Sequence, residues 1–244
     1  EKVRELLSLK ILAPHKHCHS HPKAVMFDEF GDHAAKCRHV SKNRRHNRTR
    51  DLLLDFAKDA RLAHMREPCY HELGVKIPNP NPENATVGMG PDGVIDAVGD
   101  KGANVTFDVT HLHPIVDDHT KMINIARDPD IPLRTATKTK LKRYKDLIEQ
   151  GNTLTKPVEF RVLASTTFGR WNKEMFVFLR DLETAYLQNH GYDPMTGGDS
   201  RPRQRIRRRW YQELSVSLIK GHYQTRATAF YKASAIANMG RRGY

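Results

Sequence analysis

The chain reads as an α/β protein with one main core, and three observations give that class. Apolar residues recur at helical spacing from Asn47 to His64. Two short runs rich in β-branched residues, Gly93 to Val98 and Asn104 to Thr110, stand either side of a glycine-containing turn. A third such run, Val158 to Leu163, lies between two further helical stretches. A chain of 244 residues buries one sizeable core plus a small satellite.

The first helix is expected over Asn47 to His64, with Leu52, Leu53, Phe56, Ala60 and Ala63 inward and Asn47 or Thr49 as its cap. From Ile77 to Pro91 the prolines and glycines break regular structure and predict an irregular loop. The hairpin follows, turning through Gly99 to Gly102. Within its second strand Val105, Phe107 and Val109 alternate with Thr106, Asp108 and Thr110, so Asp108 and Thr110 share the face opposite the apolar set. Thr135 to Gln150 predicts one helix, with Thr137, Leu141, Tyr144 and Ile148 on its stripe and Gly151 as its stop. Trp171 to His190 predicts another, with Trp171, Met175, Phe178, Leu182 and Tyr186 inward. Tyr192 to Arg209 reads as a linker or arm, and helical spacing returns from Trp210 to Asn238.

The charge balance points to a polyanionic partner. Lys and Arg number 41 against 28 Asp and Glu, a net charge of +13. The distribution is uneven: the stretch from Glu67 to Leu133 is net negative, and basic runs flank it at Arg38 to Arg50 and Arg201 to Arg209. A cationic rim around an acidic centre suits a phosphate backbone held over metal-binding carboxylates. Nucleic acid, DNA or RNA, is the expected partner. No apolar run approaches the length of a membrane span, and no membrane partner is expected. The chain opens at Glu1 with no signal-peptide pattern, so it reads as a segment of something longer. Three cysteines make no disulfide framework, which fits an intracellular, reducing setting such as a nucleus or organelle.

Two of those cysteines sit among histidines. Cys18, His21, His33 and Cys37 form a C-x2-H and an H-x3-C pair, which can supply the four ligands of a structural Zn2+ site. His15, His17, His19 and His39 lie close enough in sequence to substitute for His21. A second constellation is Asp92, Asp108 and Lys140. Phosphodiester hydrolysis calls for carboxylates that hold a divalent ion, here Mg2+, and for a cation that steadies the charge on the phosphate. Asp92 at the lip of one strand and Asp108 within the next can converge across a hairpin, and Lys140 can lean toward the sheet from the following helix.

The order of short motifs along the chain resembles a known family. Gly31-Asp32-His33-Ala34-Ala35-Lys36-Cys37 is followed by Arg45-His46-Asn47, Glu67-Pro68, Pro91-Asp92, Phe107-Asp108-Val109-Thr110, Lys140 to Tyr144, and Phe168-Gly169-Arg170-Trp171. This is similar to the restriction-like endonuclease region at the C-terminal end of non-LTR retrotransposon polyproteins, from about Cys18 to Leu214-Ser215. The resemblance implies a PD-(D/E)XK nuclease core, a mixed sheet flanked by helices, behind a zinc knuckle and before a helical C-terminal extension. Its segments would be a basic knuckle-like region at 1–46, the core at 47–191, and an Arg-rich arm with helices at 192–244. It further implies Mg2+-dependent nicking of DNA, with Asp92 and Asp108 as the acidic pair and Lys140 as a lysine displaced to the next helix. Thr110 stands where the strict motif has lysine, and Lys138 and Lys142 are rivals for that role. His21 stands where relatives usually carry cysteine, and Glu67 or Glu72 would be an additional acid. Arg45, His46 and Asn47 would face phosphate, with Arg44, Arg48, Lys142, Arg143, Arg205, Arg207 and Arg208 completing a nucleic-acid-binding surface.

Two other readings stay open. One is a domesticated relative that no longer cuts and binds RNA or DNA within a ribonucleoprotein such as a ribosome. The other is a zinc-bound regulator that binds duplex DNA. A larger polyprotein as partner also remains open.

Overall fold

The computed structural model describes residues 17–18, 25–26, 32–36, 43–76, 90–98, 102–192 and 200–240. Residues 77–89 of the expected Ile77–Pro91 loop, His21 and Cys37 lie outside them. Two short strands, β1 (His17–Cys18) and β2 (Val25–Met26), pair antiparallel. Two helices follow, α1 (Asp32–Lys36) and α2 (Asn43–Asp59). Next come β3 (His64–Arg66), β4 (Gly93–Ile95) and β5 (Asn104–Leu112). Three helices, α3 (His119–Arg127), α4 (Ile131–Arg143) and α5 (Lys145–Gly151), lead to β6 (Val158–Thr166). The chain ends in α6 (Lys173–Asn189) and the long α7 (Ser200–Gly240).

A mixed four-stranded sheet in the order β3-β4-β5-β6 organises the molecule, with the first two pairings antiparallel and β5 parallel to β6. A parallel pair cannot be closed by a tight turn, and α3 to α5 supply the crossover it needs. Helices cover both faces. Val105, Phe107 and Val109 of β5 and Leu163 of β6 pack with Leu53 and Phe56 of α2, Phe178 and Leu182 of α6, and Trp210 of α7. The opposite face packs Val94 and Val158 against Tyr144 and Leu147, and Val162 and Ala164 against Leu133. This period-two division along β5 leaves Thr106, Asp108 and Thr110 facing α4 and α5.

Gly93 is required where β4 crosses the core. A Cβ there would stand 2.7 Å from the Phe107 ring and 3.1 Å from Leu54 Cδ2. Gly93→Ala is therefore expected to destabilise the fold by about 1–3 kcal/mol through overpacking, read as a lower urea midpoint at unchanged slope.

The structure corrects the expected elements in several places. Helix α2 starts at Asn43, four residues before the expected cap, so Asn47 and Thr49 are interior. Tertiary packing decides this: Arg45 and Thr49 are buried, and Gly221 of α7 lies so close that a Cβ would meet Arg45 Cγ at 2.8 Å. Ala63 is exposed, since the chain has already left the helix through Arg61 at φ 56°. The single helix expected from Thr135 to Gln150 is two, broken at Tyr144 and begun at Ile131 with Pro132 in its first turn. Tyr144 of the expected stripe is buried, but Leu141 is exposed and the core takes Leu133 and Leu147 in its place. Residues 201–209, read as linker or arm, are helical; arginine is a good helix former, and Ile206, Trp210 and Leu214 bury one stripe against α2 and α6. Trp210 stacks on Phe56 with ring centroids 4.8 Å apart. No helix among the described residues is long and apolar enough to cross a membrane.

Candidate active site

Extending the β4–β5 register by one step from Gly93↔Phe107 places Asp92 opposite Asp108. Opposed residues of an antiparallel pair present side chains to the same face. Backbone bonds hold Asp92 on both sides: its N–H donates to Phe107 O (2.9 Å), and its carbonyl accepts from Glu67 N (2.9 Å). Its carboxylate accepts from Val109 N at Oδ2 (2.5 Å) and meets His46 Nε2 at Oδ1 (2.9 Å). Asp108 is 3% exposed. Its Oδ1 accepts from Lys140 Nζ (3.0 Å) and from the Tyr144 hydroxyl (2.8 Å), and Lys140 Nζ stands 2.9 Å from its Oδ2. The Tyr144 hydroxyl also lies 3.2 Å from Gly90 O. Lys140 and Tyr144 are one helical turn apart at the end of α4, so one short segment brings both groups to one carboxylate.

These residues line a single cavity of about 610 Å³, shared with Asn43, Arg45, Asn47, Glu67, Arg143 and His111. Of the two glutamates considered, Glu67 lines it and pairs with buried Arg50. Glu72 instead caps the Cys69 N–H (2.6 Å) and lines a different cavity. Of the candidate lysines, Lys140 reaches Asp108, while Lys138 and Lys142 are exposed.

The electrostatics follow from burial. Desolvation first, then the charge of Asp92, pushes the Asp108 carboxyl above the usual carboxylate range, and Lys140 and Tyr144 offset this only in part. Burial and the negative charge of Asp108 raise the Tyr144 hydroxyl. Arg45 is 1% exposed, and burial lowers its guanidinium to about 10; its Nε and Nη1 have no hydrogen-bond partner among the described residues. His111, bonded through Nδ1 to Ser165 Oγ (2.6 Å), is held well below the ordinary histidine value by burial and by Arg45 and His46. Tyr144's bond to Asp108 and His111's place in the cavity were not singled out from the sequence. The i, i+4 spacing of Lys140 and Tyr144 was the available signal for the first. For His111 there was none, because it sits on the strand face opposite Asp108.

The remaining basic residues are more dispersed. Arg44, Lys142, Arg143, Arg205 and Arg208 are exposed and Arg48 is half-buried. Arg207 grips buried Glu183 with three contacts of 2.7–3.1 Å, which ties α7 to α6. Among the described residues no group of three or more His, Cys, Asp or Glu is arranged to hold a metal. Of the four zinc ligands considered, only the His33 side chain is described.

The carboxylate pair fits Mg2+ even so. That ion usually keeps several waters and takes one or two protein carboxylates alongside substrate phosphate oxygens. Asp92 and Asp108 supply two carboxylates at opposed positions of neighbouring strands, lining one cavity. Compared with known protein families and with curated proteins, the chain matches no family profile and no curated sequence.

Proposed function

We propose that the chain is a metal-dependent endonuclease of the restriction-like PD-(D/E)XK kind, derived from a non-LTR retrotransposon, which nicks DNA. The observation that carries this reading is the meeting of Asp92, Asp108 and Lys140 in one cavity, on elements far apart in sequence. The mixed sheet with helices on both faces supports it, as does the net charge of +13.

When bound, Mg2+ would be held by Asp92 and Asp108, where it would polarise the phosphate and lower the pKa of an attacking water. The protein's own groups have separate tasks. Val109 N–H and His46 orient Asp92, and the Tyr144 hydroxyl orients Asp108. Lys140 provides positive charge at Asp108 and would offer it to a phosphate entering the same cavity. Exposed arginines on α2 and α7 give a sequence-independent hold on the backbone.

Supercoiled plasmid tests the proposal. Conversion to open circle with Mg2+ and none in chelator is expected. Stable plasmid or rRNA binding with no cutting under any divalent ion overturns it in favour of the non-cutting ribonucleoprotein component.

A further inference from the structure

We propose that a second cavity beside the carboxylates receives a nucleobase of the bound strand, turned out from its stack next to the phosphate at Asp108. This rests on the nuclease reading and adds a specificity-determining site to it.

The cavity is of about 570 Å³, within the usual range for small-ligand sites. Leu112 at the end of β5, Pro114 and Val116 just beyond it, Ile125 of α3, and Ile131 and Ala136 of α4 give it an apolar lining. Each of these is only half-buried. Thr110 and Lys140 belong to both cavities, so the two adjoin. The placement follows from strand geometry: Thr110 and Leu112 continue the Asp108 face at two-residue steps of about 7 Å, the reach of one extended nucleotide. The same face of α4 runs from Ile131 past Ala136 to Lys140.

The chemistry favours a base. A nucleobase has apolar faces and a polar edge, and a strand delivers it with a negative charge that Lys121 and Lys140 can receive. The pocket has a few polar groups to meet such an edge. The Thr135 and Thr139 hydroxyls donate their protons to the Ile131 and Thr135 carbonyls, which leaves their oxygens as acceptors. The exposed Asn124 amide offers both a donor and acceptors. The outer wall, α3, has no buried residue. It can therefore shift to admit a base without breaking a core.

DNA duplexes carrying one 4-thiothymidine, moved position by position and photoactivated in chelator, test the proposal. The expected result is a cross-link within Pro114–Thr139 from one position on the strand. Ala136→Phe, which fills the pocket, should abolish that cross-link and weaken duplex binding about as much as an abasic site at that position weakens binding to the wild type. Wild-type protein needs no stable variant for the companion measurement: an abasic site at that position should weaken binding fivefold or more. Cross-links confined to other surfaces, or unchanged in Ala136→Phe, overturn the pocket, as does an abasic site without effect. Plasmid nicking with Mg2+, scored on the same preparations, separates the two readings. Cutting without the cross-link removes only the base pocket, and the cross-link without cutting removes only the nuclease.

Discussion

Asp108→Asn is expected to abolish nicking and at the same time to raise the melting temperature. The two effects have one cause. Asparagine keeps the shape of the side chain and an oxygen for the Tyr144 hydroxyl, but it lacks the charge that a divalent ion needs. Removing an outer-shell partner of a metal commonly weakens the site by 10- to 100-fold, so loss of a direct ligand should cost about 100-fold or more. The stability change runs the other way because folding works against the charged carboxylate. Burial and Asp92 raise its proton affinity more than Lys140 and Tyr144 lower it. Folding disfavours that charge in the wild type, and the variant has no such charge to disfavour. Lys140 is left without its partner, yet with 23% of its side chain exposed it can be solvated. Nicking rates and thermal melts on the same two proteins check both halves. A variant that cuts as fast as the wild type overturns the assignment of Asp108.

Acid is expected to unfold the chain through two histidines that it holds neutral. His222 of α7 is 5% exposed, and burial, then Arg226, Arg45 and His113, lowers it to about 3. His111 is lowered in the same sense. In the unfolded chain both take up a proton near pH 6.5, so below that value the unfolded state binds more protons and stability falls with pH. His222 alone contributes a loss of about 2 kcal/mol between pH 6.5 and 4.5, and His111 adds to it in the same direction. Asp108 opposes this: its raised value favours the folded state on acidification, but it is one group against two. Urea denaturation at stepped pH should show the decline, and His222→Phe should flatten it. A wild-type curve level from pH 6.5 to 4.5 would overturn the account.

The sequence revealed the parts of this molecule that are governed by local pattern. The alternation from Val105 to Thr110 placed Asp108 opposite the apolar face before any contact was known, and the structure has it there. Helix α6 and the β4–β5 pairing followed from spacing in the same way. What escaped depended on contacts across the fold. The start of α2 is set by α7 pressing on Arg45, some 180 residues further along, and nothing in residues 43–50 announces it. The break at Tyr144 is set by its ring packing with Phe160, centroids 4.5 Å apart, and by its hydroxyl reaching Asp108. The helical character of 201–209 was hidden because, among its many charges, Ile206 is the one buried side chain that continues the stripe of Trp210 and Leu214. In the site, residue types and order were legible, while the burial of Arg45 and the approach of His111 were not.

The close crossing of Gly221 over Arg45 bears on how small a working piece of this protein can be. An excised core ending near residue 192 would retain Asp92, Asp108, Lys140 and Tyr144. It would also strip the outer support from the helix that carries His46, the partner of Asp92. The minimal transplantable unit thus extends through the distal helix to at least Ala229, the last of its buried side chains described.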